Sequence, residues 1–137
     1  MKKIDEKMKE ILVKKAIEVR ENSYSPFSGF CVGAALLCSD GEIIVGTNVE
    51  NSSFGGTICA ERSAFCAAVS QGKRDFDAIA IVGGKKGEKI SENCAPCGIC
   101  RQFMNEFCDS EFTVLLSNGE NITEKTLGSL LPDSFKL

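Results

Sequence analysis

The sequence predicts an α/β fold in which helices flank a mixed five-stranded sheet. Three observations predict this fold: an early apolar pattern at helical spacing, two apolar segments joined by a Ser-Asp-Gly turn, and later segments that alternate between helix and strand patterns before a final hairpin. The 137 residues, of which 43% are hydrophobic, fit one domain with a sizeable core. We therefore expect residues 1–137 to form a single domain.

The first elements are an amphipathic helix and a hairpin. The helix is predicted to end near Asn22, because apolar residues recur at helical spacing up to that point, namely Ile4, Met8, Ile11, Leu12, Ala16 and Val19. A segment rich in turn-forming residues follows over 23–29. Strands are predicted over 30–37 and 42–49, with a tight turn at Ser39-Asp40-Gly41 between them.

A second helix and a buried strand come next. Thr57 is the predicted N-cap of a helix running to about Gln71, which places Cys59 and Glu61 in its first turn. Free backbone N–H groups and the helix dipole favour a thiolate at that position. Several alanines in this helix indicate close packing on a sheet. Residues 78–82 are apolar throughout and predict a strand buried on both faces, and the glycine-rich residues 83–87 predict an exposed turn.

A third helix is predicted from Cys97 to about Phe107, with Ile99, Phe103 and Phe107 on one apolar stripe. A strand over 113–116, a hairpin turn at Asn118-Gly119 and a short helix over 126–131 complete the chain. Crossover connections of one handedness place the starts of the second and third helices at the same edge of the sheet. The topology is therefore expected to bring the cysteines at these two helix starts together.

Three cysteines and one glutamate carry the predicted chemistry. Cys97 and Cys100 have the spacing at which one helix start offers two sulfurs to a tetrahedral metal. Cys59 can supply a third thiolate, and Glu61 would then lie beside the remaining coordination position. Three protein ligands and an open position are typical of a catalytic zinc site. A ligand-x-Glu element followed by Pro-Cys-x-x-Cys is the signature of zinc-dependent base deaminases.

The absence of histidine limits which residues can bind the metal and which kinds of nucleophile are possible. The chain contains no histidine, so the first ligand of the signature must be Cys59, and Cys-His or Ser-His nucleophiles are excluded. A Cys-x-x-Cys pair is also found in redox centres and structural zinc sites. Cys94 is the candidate fourth ligand of a structural site, although its position before Pro96 is more typical of a loop thiol.

Composition argues against several other classes of protein. The formal net charge of −3 does not favour a broad nucleic-acid-binding surface. The amino-terminal residues are too charged for a signal peptide, and no apolar run reaches membrane-spanning length. Cys31, Cys38 and Cys66 lie in apolar runs, where a thiol behaves as a small hydrophobic side chain rather than a disulfide partner. We therefore expect a cytoplasmic protein with no nucleic-acid or membrane partner.

The chain resembles the small, homotetrameric cytidine deaminases over nearly its whole length. The matching stretches are Ser25-Pro-Phe-Ser, Val32-Gly-Ala-Ala, Asn48-Val-Glu-Asn51, Cys59-Ala-Glu-Arg62, Pro96-Cys-Gly-Ile-Cys-Arg-Gln102 and Leu130-Leu-Pro132. The resemblance implies a three-layer cytidine deaminase-like fold and one Zn²⁺ per subunit, and a nucleoside as substrate. It also implies self-association into a homotetramer.

The resemblance further assigns substrate contacts to particular residues. It implies that Asn48 and Glu50 hydrogen-bond the ribose, that Phe27 packs against the pyrimidine, and that backbone groups at Ala60 and Cys97 bind the base edge. Asn48 and Glu50 are two positions apart at a strand end, so their side chains are expected on one face.

Two further roles, and one departure from the family, concern residues farther from the base. Arg62 resembles the arginine that hydrogen-bonds the ligating thiolates, and its charge would offset their excess over the zinc charge. Phe135 resembles the aromatic residue that reaches the site of a neighbouring subunit. Phe54 stands where relatives often carry tyrosine, so a hydroxyl contact near the sugar or the subunit boundary is missing here.

The implied reaction is hydrolytic deamination of cytidine and deoxycytidine to uridine and deoxyuridine, with release of ammonia, in pyrimidine salvage. Glu61 would take a proton from water, pass it to ring N3 and later protonate the departing amine. Three alternatives stay open: a deaminase of a cytosine antibiotic such as blasticidin S, a non-catalytic zinc module, and a deaminase of polynucleotides. The Asn48-x-Glu50 pair argues against the first, because only a nucleoside enzyme needs that sugar contact.

Overall fold

Helices lie on both sides of a central sheet, in the order that the sequence pattern predicts. A computed structural model describes residues 3–137. Its helices are α1 (Glu6–Val19), α2 (Ala60–Ser70), α3 (Gly98–Phe107) and α4 (Leu127–Leu130). Its strands are β1 (Phe30–Cys38), β2 (Ile43–Thr47), β3 (Phe76–Lys85), β4 (Thr113–Ser117) and β5 (Ile122–Thr126). Short 3₁₀ turns cover Arg20–Asn22 and Phe54–Gly56.

The five strands form one mixed sheet in the order β2-β1-β3-β4-β5. Strand β1 pairs antiparallel with β2 and with β3, β3 pairs parallel with β4, and β4 pairs antiparallel with β5. Two core clusters cover its faces: α1 packs on one face, and α2 and α3 pack on the other. The predicted three-layer architecture is confirmed.

The central strands alternate between the two clusters. In β3, Ile79 and Ile81 face α2 and α3, whereas Ala78, Ala80 and Val82 face α1, and all five side chains are fully buried. A strand covered on both sides loses the apolar–polar alternation of a half-exposed strand, which explains why this segment is apolar throughout. The prediction of a doubly buried strand is confirmed.

Two glycines allow the helices to approach the sheet closely. A Cβ atom on Gly33 of β1 would lie 2.0 Å from the carbonyl oxygen of Ala16 in α1. A Cβ atom on Gly46 of β2 would lie 2.5 Å from the backbone nitrogen of Ala64 in α2. The small side chains predicted to bring the second helix against the sheet therefore meet a glycine on the strand.

The start of α2 differs from the prediction. Thr57 is not its N-cap; Cys59 occupies that position with extended backbone angles, and Ala60 is the first helical residue. The reason is a long-range pairing, because the backbone groups of Ile58 and Val49 exchange hydrogen bonds of 2.9 and 3.0 Å. This bridge keeps the residues before Cys59 extended and delays the helix by two residues relative to the predicted start.

Two other local predictions are wrong. Gly83 does not lie in an exposed turn: β3 continues to Lys85, and Gly83 pairs with Val32 of β1. Its missing side chain is required, because a Cβ atom there would lie 2.8 Å from both the Cys94 sulfur and the Phe30 ring. Ile99 does not belong to the buried stripe of α3 either; it is 66% exposed, and Cys100 and Met104 are buried instead.

Strands β2 and β3 run parallel to each other, since both are antiparallel to β1. Helix α2 follows β2, and α3 follows β3, so both helices begin at the same edge of the sheet. This is the arrangement that the crossover argument predicts.

Candidate metal centre and its surroundings

Three cysteine sulfurs meet where α2 and α3 begin. Cys59 and Cys97 are the N-cap residues of these helices, and Cys100 lies in the first turn of α3. Their Sγ atoms all lie within 4.8 Å of one another, and those of Cys59 and Cys97 are 3.7 Å apart. Within residues 3–137, this is the group of three or more potential ligands that is positioned to bind a metal. The predicted convergence of these residues is confirmed.

The electrostatic environment of this group favours a thiolate. Hydrogen bonds from Cys100, Arg62 and Cys97 lower the pKa of Cys59 to about 5, against the opposing effect of its burial. The pKa of Cys100 is raised correspondingly, because its thiol hydrogen-bonds the Cys59 sulfur and because it is buried. Cys59 and Cys97 also occupy helix N-caps, where unpaired backbone N–H groups and the helix dipole favour negative charge. Soft sulfur donors at a preorganised, positively polarised position fit Zn²⁺.

Arg62 lies beside the sulfur group. Its Nη2 atom is 3.5 Å from the Cys59 sulfur and 3.5 Å from the carbonyl oxygen of Thr57. The hydrogen bond to Cys59 raises the pKa of the guanidinium, so it is a permanent cation. Its Nε atom is buried without a hydrogen-bond partner among the described residues. The Arg62 guanidinium therefore lies within hydrogen-bond distance of one candidate metal ligand.

Glu61 is buried next to the sulfurs, with 4% of its surface exposed. Burial is the main reason that its pKa is raised to about 7, and the charge of Cys59 raises it further. A carboxyl group with a pKa close to neutrality can both accept and donate a proton at physiological pH. Its position and its environment therefore suit a proton carrier beside the metal centre.

Cys94 does not join the sulfur group as a fourth member. Its sulfur instead lies beside Gly83 of β3, 2.8 Å from the position that a Cβ atom on this glycine would take. Burial, with the charges of Glu61 and Cys59, raises the pKa of this thiol to about 11. Cys94 is thus a neutral, half-buried loop thiol near Glu61, and the structure does not support a closed four-cysteine site.

Asn48 is buried and holds the start of β1. Its Oδ1 atom accepts hydrogen bonds from the backbone N–H of Val32, at 2.9 Å, and from the hydroxyl of Ser23, while its Nδ2 atom donates to the carbonyl oxygen of Phe30 at 2.8 Å. One Nδ2 hydrogen is left for another partner. Its structural role was not predicted from the sequence.

Glu50 is bound to the turn that carries Phe27. Its Oε1 atom accepts from the backbone N–H groups of Phe27, at 2.9 Å, and Ser28, at 3.1 Å, and its Oε2 atom accepts from the Ser28 hydroxyl. The Ser28 side-chain hydrogen bond is the main reason that the pKa of Glu50 is lowered. Phe27 is 53% exposed and packs edge-to-face against Phe54, with 5.8 Å between ring centroids.

The last residues of the sequence pack on α3. The Phe135 carbonyl oxygen accepts hydrogen bonds from Gln102, at 3.2 Å, and from Asn105, at 3.0 Å. Arg101 donates to the carbonyl of Leu130 at 2.8 Å. The Phe135 side chain itself is 66% exposed. An aromatic side chain in this position could pack either on the core of its own chain or against a neighbouring subunit. The exposed Phe135 side chain does not pack on its own core.

The metal centre lies at the surface rather than in an enclosed pocket. Cys97 is exposed, whereas Cys59 is half-buried and Cys100 is buried. A cavity of about 810 Å³, lined among others by Arg20, Glu88 and Ile90, contains none of the three cysteines. No helix within residues 3–137 is long and apolar enough to cross a membrane.

Comparison with known proteins agrees with this geometry. Residues 6–116 match the family model described as the cytidine and deoxycytidylate deaminase zinc-binding region. The chain belongs to this family. Within the family, it is 47% identical to the cytidine deaminase of Halalkalibacterium halodurans over 128 residues, which cover 93% of each protein.

Structural comparison and a more distant relative extend this result. The crystal structure of cytidine deaminase from Burkholderia pseudomallei matches with a TM-score of 0.84 and 41% identity, covering 92% of this chain and 98% of that one. A blasticidin-S deaminase of Bacillus cereus is 33% identical over 104 residues, or 74% of each chain. The cytidine deaminase relative is therefore more similar and matches over a longer part of the chain. As in the rest of the family, zinc is the metal for which the sulfur group is suited.

Proposed function

We propose that this chain catalyses the hydrolytic deamination of cytidine and deoxycytidine to uridine and deoxyuridine, with release of ammonia, in pyrimidine salvage. The observation that carries the proposal is the buried Glu61 carboxyl group beside three sulfurs that lie within 4.8 Å of one another. The substrate class follows from the relatives that are named cytidine deaminases.

Cys59, Cys97 and Cys100 would hold one Zn²⁺ per subunit. Zinc bound by three sulfurs supplies a water molecule whose pKa is lowered toward neutrality. Three thiolates carry one negative charge more than zinc can neutralise, and the nearby Arg62 guanidinium offsets that excess. We assign Arg62 to this role because it hydrogen-bonds the Cys59 sulfur directly.

Glu61 would move the protons of the reaction. Its carboxylate accepts a proton from the attacking water and delivers it to ring N3 as the water oxygen bonds to C4. It then takes the remaining proton of that oxygen to the amino group as the C4–N4 bond breaks, so that cytidine and water become uridine and ammonia. A pKa raised to about 7 by burial suits a group that accepts and returns a proton in each cycle.

Substrate recognition would use an aromatic side chain for the pyrimidine, two polar side chains for the ribose and backbone N–H groups for the base edge. Phe27 offers an exposed aromatic face to the pyrimidine, and Asn48 and Glu50 would bind the ribose. Asn48 keeps one free N–H for this purpose. Ala60, as the first residue of α2, and Cys97, as the N-cap of α3, offer unpaired backbone N–H groups to the base edge.

The oligomer proposed from the family resemblance is a homotetramer. Large apolar side chains are exposed in the single chain, among them Ile99, Phe54 and Phe135. Burying them against other copies would close the surface site and bring Phe135 to the site of a neighbour. Light scattering coupled to size-exclusion chromatography would give about four times the 14.7 kDa chain mass; a monomer would contradict the proposal.

Three further proposals concern organisation, partners and location. Residues 1–137 would act as one domain, because a single sheet carries both core clusters. Nucleic acid and membranes are not proposed as partners, given the net charge of −3. All eight cysteines are free, which agrees with a reducing cytoplasmic environment.

One assay separates the proposed activity from its rivals. Purified, zinc-loaded protein is mixed with cytidine, deoxycytidine, free cytosine or blasticidin S, and the ultraviolet absorbance of the cytosine ring is followed. We expect the two nucleosides to be deaminated efficiently, and free cytosine poorly, because it lacks the sugar. Preference for blasticidin S would favour the antibiotic deaminase, and no turnover of any substrate would favour a non-catalytic zinc module.

A further inference from the structure

The Glu50 carboxylate is largely occupied before any substrate arrives. Oε1 already accepts two backbone hydrogen bonds, from Phe27 and Ser28. Oε2 accepts one, from the Ser28 hydroxyl. A carboxylate offers about four acceptor positions, two on each oxygen. One position on Oε2 is therefore left, and a sugar hydroxyl that bound Glu50 would share this oxygen with Ser28.

The backbone around the carboxylate is held by neighbouring segments. The N–H of Glu50 donates to the carbonyl of Tyr24 at 2.8 Å, and the N–H of Gly29 closes the turn by donating to the carbonyl of Ser25 at 2.9 Å. Gly29 has a φ of 69°, a left-handed conformation that glycine adopts without strain. These two hydrogen bonds hold the turn and the backbone of Glu50 without the Ser28 hydroxyl.

Ser28 makes two hydrogen bonds that give its hydroxyl a defined direction. Its Oγ atom accepts from the backbone N–H of Phe30 at 3.0 Å and donates to Glu50 Oε2. An oxygen that accepts from one side and donates on the other has little rotational freedom. The Ser28 hydroxyl therefore limits rotation of the Glu50 carboxylate. It also sets the direction of the one acceptor position that remains on Oε2.

We propose that Ser28 is a positioning residue that sets sugar recognition by orienting the Glu50 carboxylate. This inference rests on the proposed nucleoside deaminase function. Ser28 would act through Glu50 rather than by touching the base, so its removal affects substrates that have sugar hydroxyls more than those that lack them. Because both Oε1 hydrogen bonds come from backbone N–H groups, they persist when the hydroxyl is removed, and Phe27 keeps its place.

The test compares cytidine with 2′,3′-dideoxycytidine, which lacks both ring hydroxyls of the sugar. A hydrogen bond to a charged group corresponds to a factor of about 10 or more in affinity. We expect Ser28→Ala to lower kcat/KM for cytidine about tenfold, mainly through KM, and to change the value for dideoxycytidine much less. Ser28→Thr keeps the hydroxyl and should recover most of the cytidine value.

Ser52→Ala is the matched control. Ser52 is an exposed serine two residues beyond Glu50, and no side-chain hydrogen bond is found for it within residues 3–137. It should leave the ratio of the two kcat/KM values unchanged. Equal losses for both nucleosides in Ser28→Ala would mean that the serine only maintains the turn. No loss for cytidine, or a larger loss for dideoxycytidine than for cytidine, would mean that the serine does not direct the carboxylate. Each of these outcomes overturns the proposal.

Backbone hydrogen exchange provides a readout that does not depend on turnover. In Ser28→Ala the N–H of Phe30 loses its acceptor and should exchange faster, whereas the N–H of Phe27 keeps Glu50 Oε1 and should stay protected. Loss of protection at both positions would show that the turn has unfolded, which overturns the proposal. Wild-type protein that exchanges as expected but deaminates neither nucleoside would instead refute the proposed function.

Discussion

Asn105 donates a hydrogen bond of 3.0 Å from its Nδ2 atom to the carbonyl oxygen of Phe135. Asn105 is buried on α3, the helix that also carries Cys100, whereas the Phe135 ring is exposed. The backbone of the last residues is therefore held by the metal-bearing helix while the aromatic ring points outward. This geometry anchors the backbone beside an exposed ring, which suits the proposed contact with another subunit.

Removing residues 133–137 should raise KM while leaving zinc content and the helical circular dichroism signal intact. The reason is that these residues contribute an exposed ring rather than core packing. Mixing the truncated subunits with Glu61→Ala subunits should restore activity above that of either variant alone, because some sites would then combine an intact Glu61 with a neighbour's tail. If truncation changes neither KM nor kcat, Phe135 has no part in catalysis.

Replacing Glu61 by glutamine should abolish most turnover without unfolding the protein. The amide has nearly the volume of the carboxyl group but cannot carry the proton, and loss of a general acid–base usually costs about 10²–10⁴-fold in rate. Metal analysis should find the same zinc content as in the wild type, since all three sulfurs are unchanged. A Glu61→Gln variant with kcat within a few-fold of the wild type would refute the assignment.

Cys97→Ser should lose tight zinc binding, because a serine hydroxyl is a poor zinc ligand in place of a thiolate. Cys66→Ser is the matched control, since Cys66 is an exposed cysteine outside the sulfur group. Cys94→Ser should also retain zinc, and this variant tests the four-cysteine alternative directly. Equal zinc content in all three variants after dialysis against a chelator would contradict the ligand assignment.

Gly33→Ala should destabilise the fold. The added methyl would lie 2.0 Å from the Ala16 carbonyl oxygen, so α1 and β1 must move apart. Overpacking of this kind costs about 1–3 kcal/mol of unfolding free energy, and occasionally more. Gly55→Ala is the control, because a Cβ atom there meets nothing within 4 Å. Denaturant unfolding should separate the two variants; equal midpoints would show that the helix and sheet adjust without cost.

The local elements could be predicted because each depends on neighbouring residues. The helical spacing of apolar residues, the turns at Gly41 and Gly119, and a short helix within residues 126–131 all appear in the structure. Both turn glycines have a φ of 95°, a conformation that explains their positions. Strand pairing was harder to predict from the sequence, because it depends on partners that are distant along the chain. The extended backbone at Ile58 and the continuation of β3 to Lys85 are both of this kind.

The candidate site likewise combines features that follow from sequence spacing with features that only the tertiary structure sets. The spacing of Cys97 and Cys100 and of Cys59 and Glu61 already determined which groups share a helix start, since one turn of helix fixes residues that are close in sequence. Only the tertiary structure decided that Cys94 lies outside the sulfur group and that the Ser28 hydroxyl hydrogen-bonds Glu50. Those outcomes depend on contacts across many residues, where the packing of whole elements, rather than local chain geometry, sets each distance.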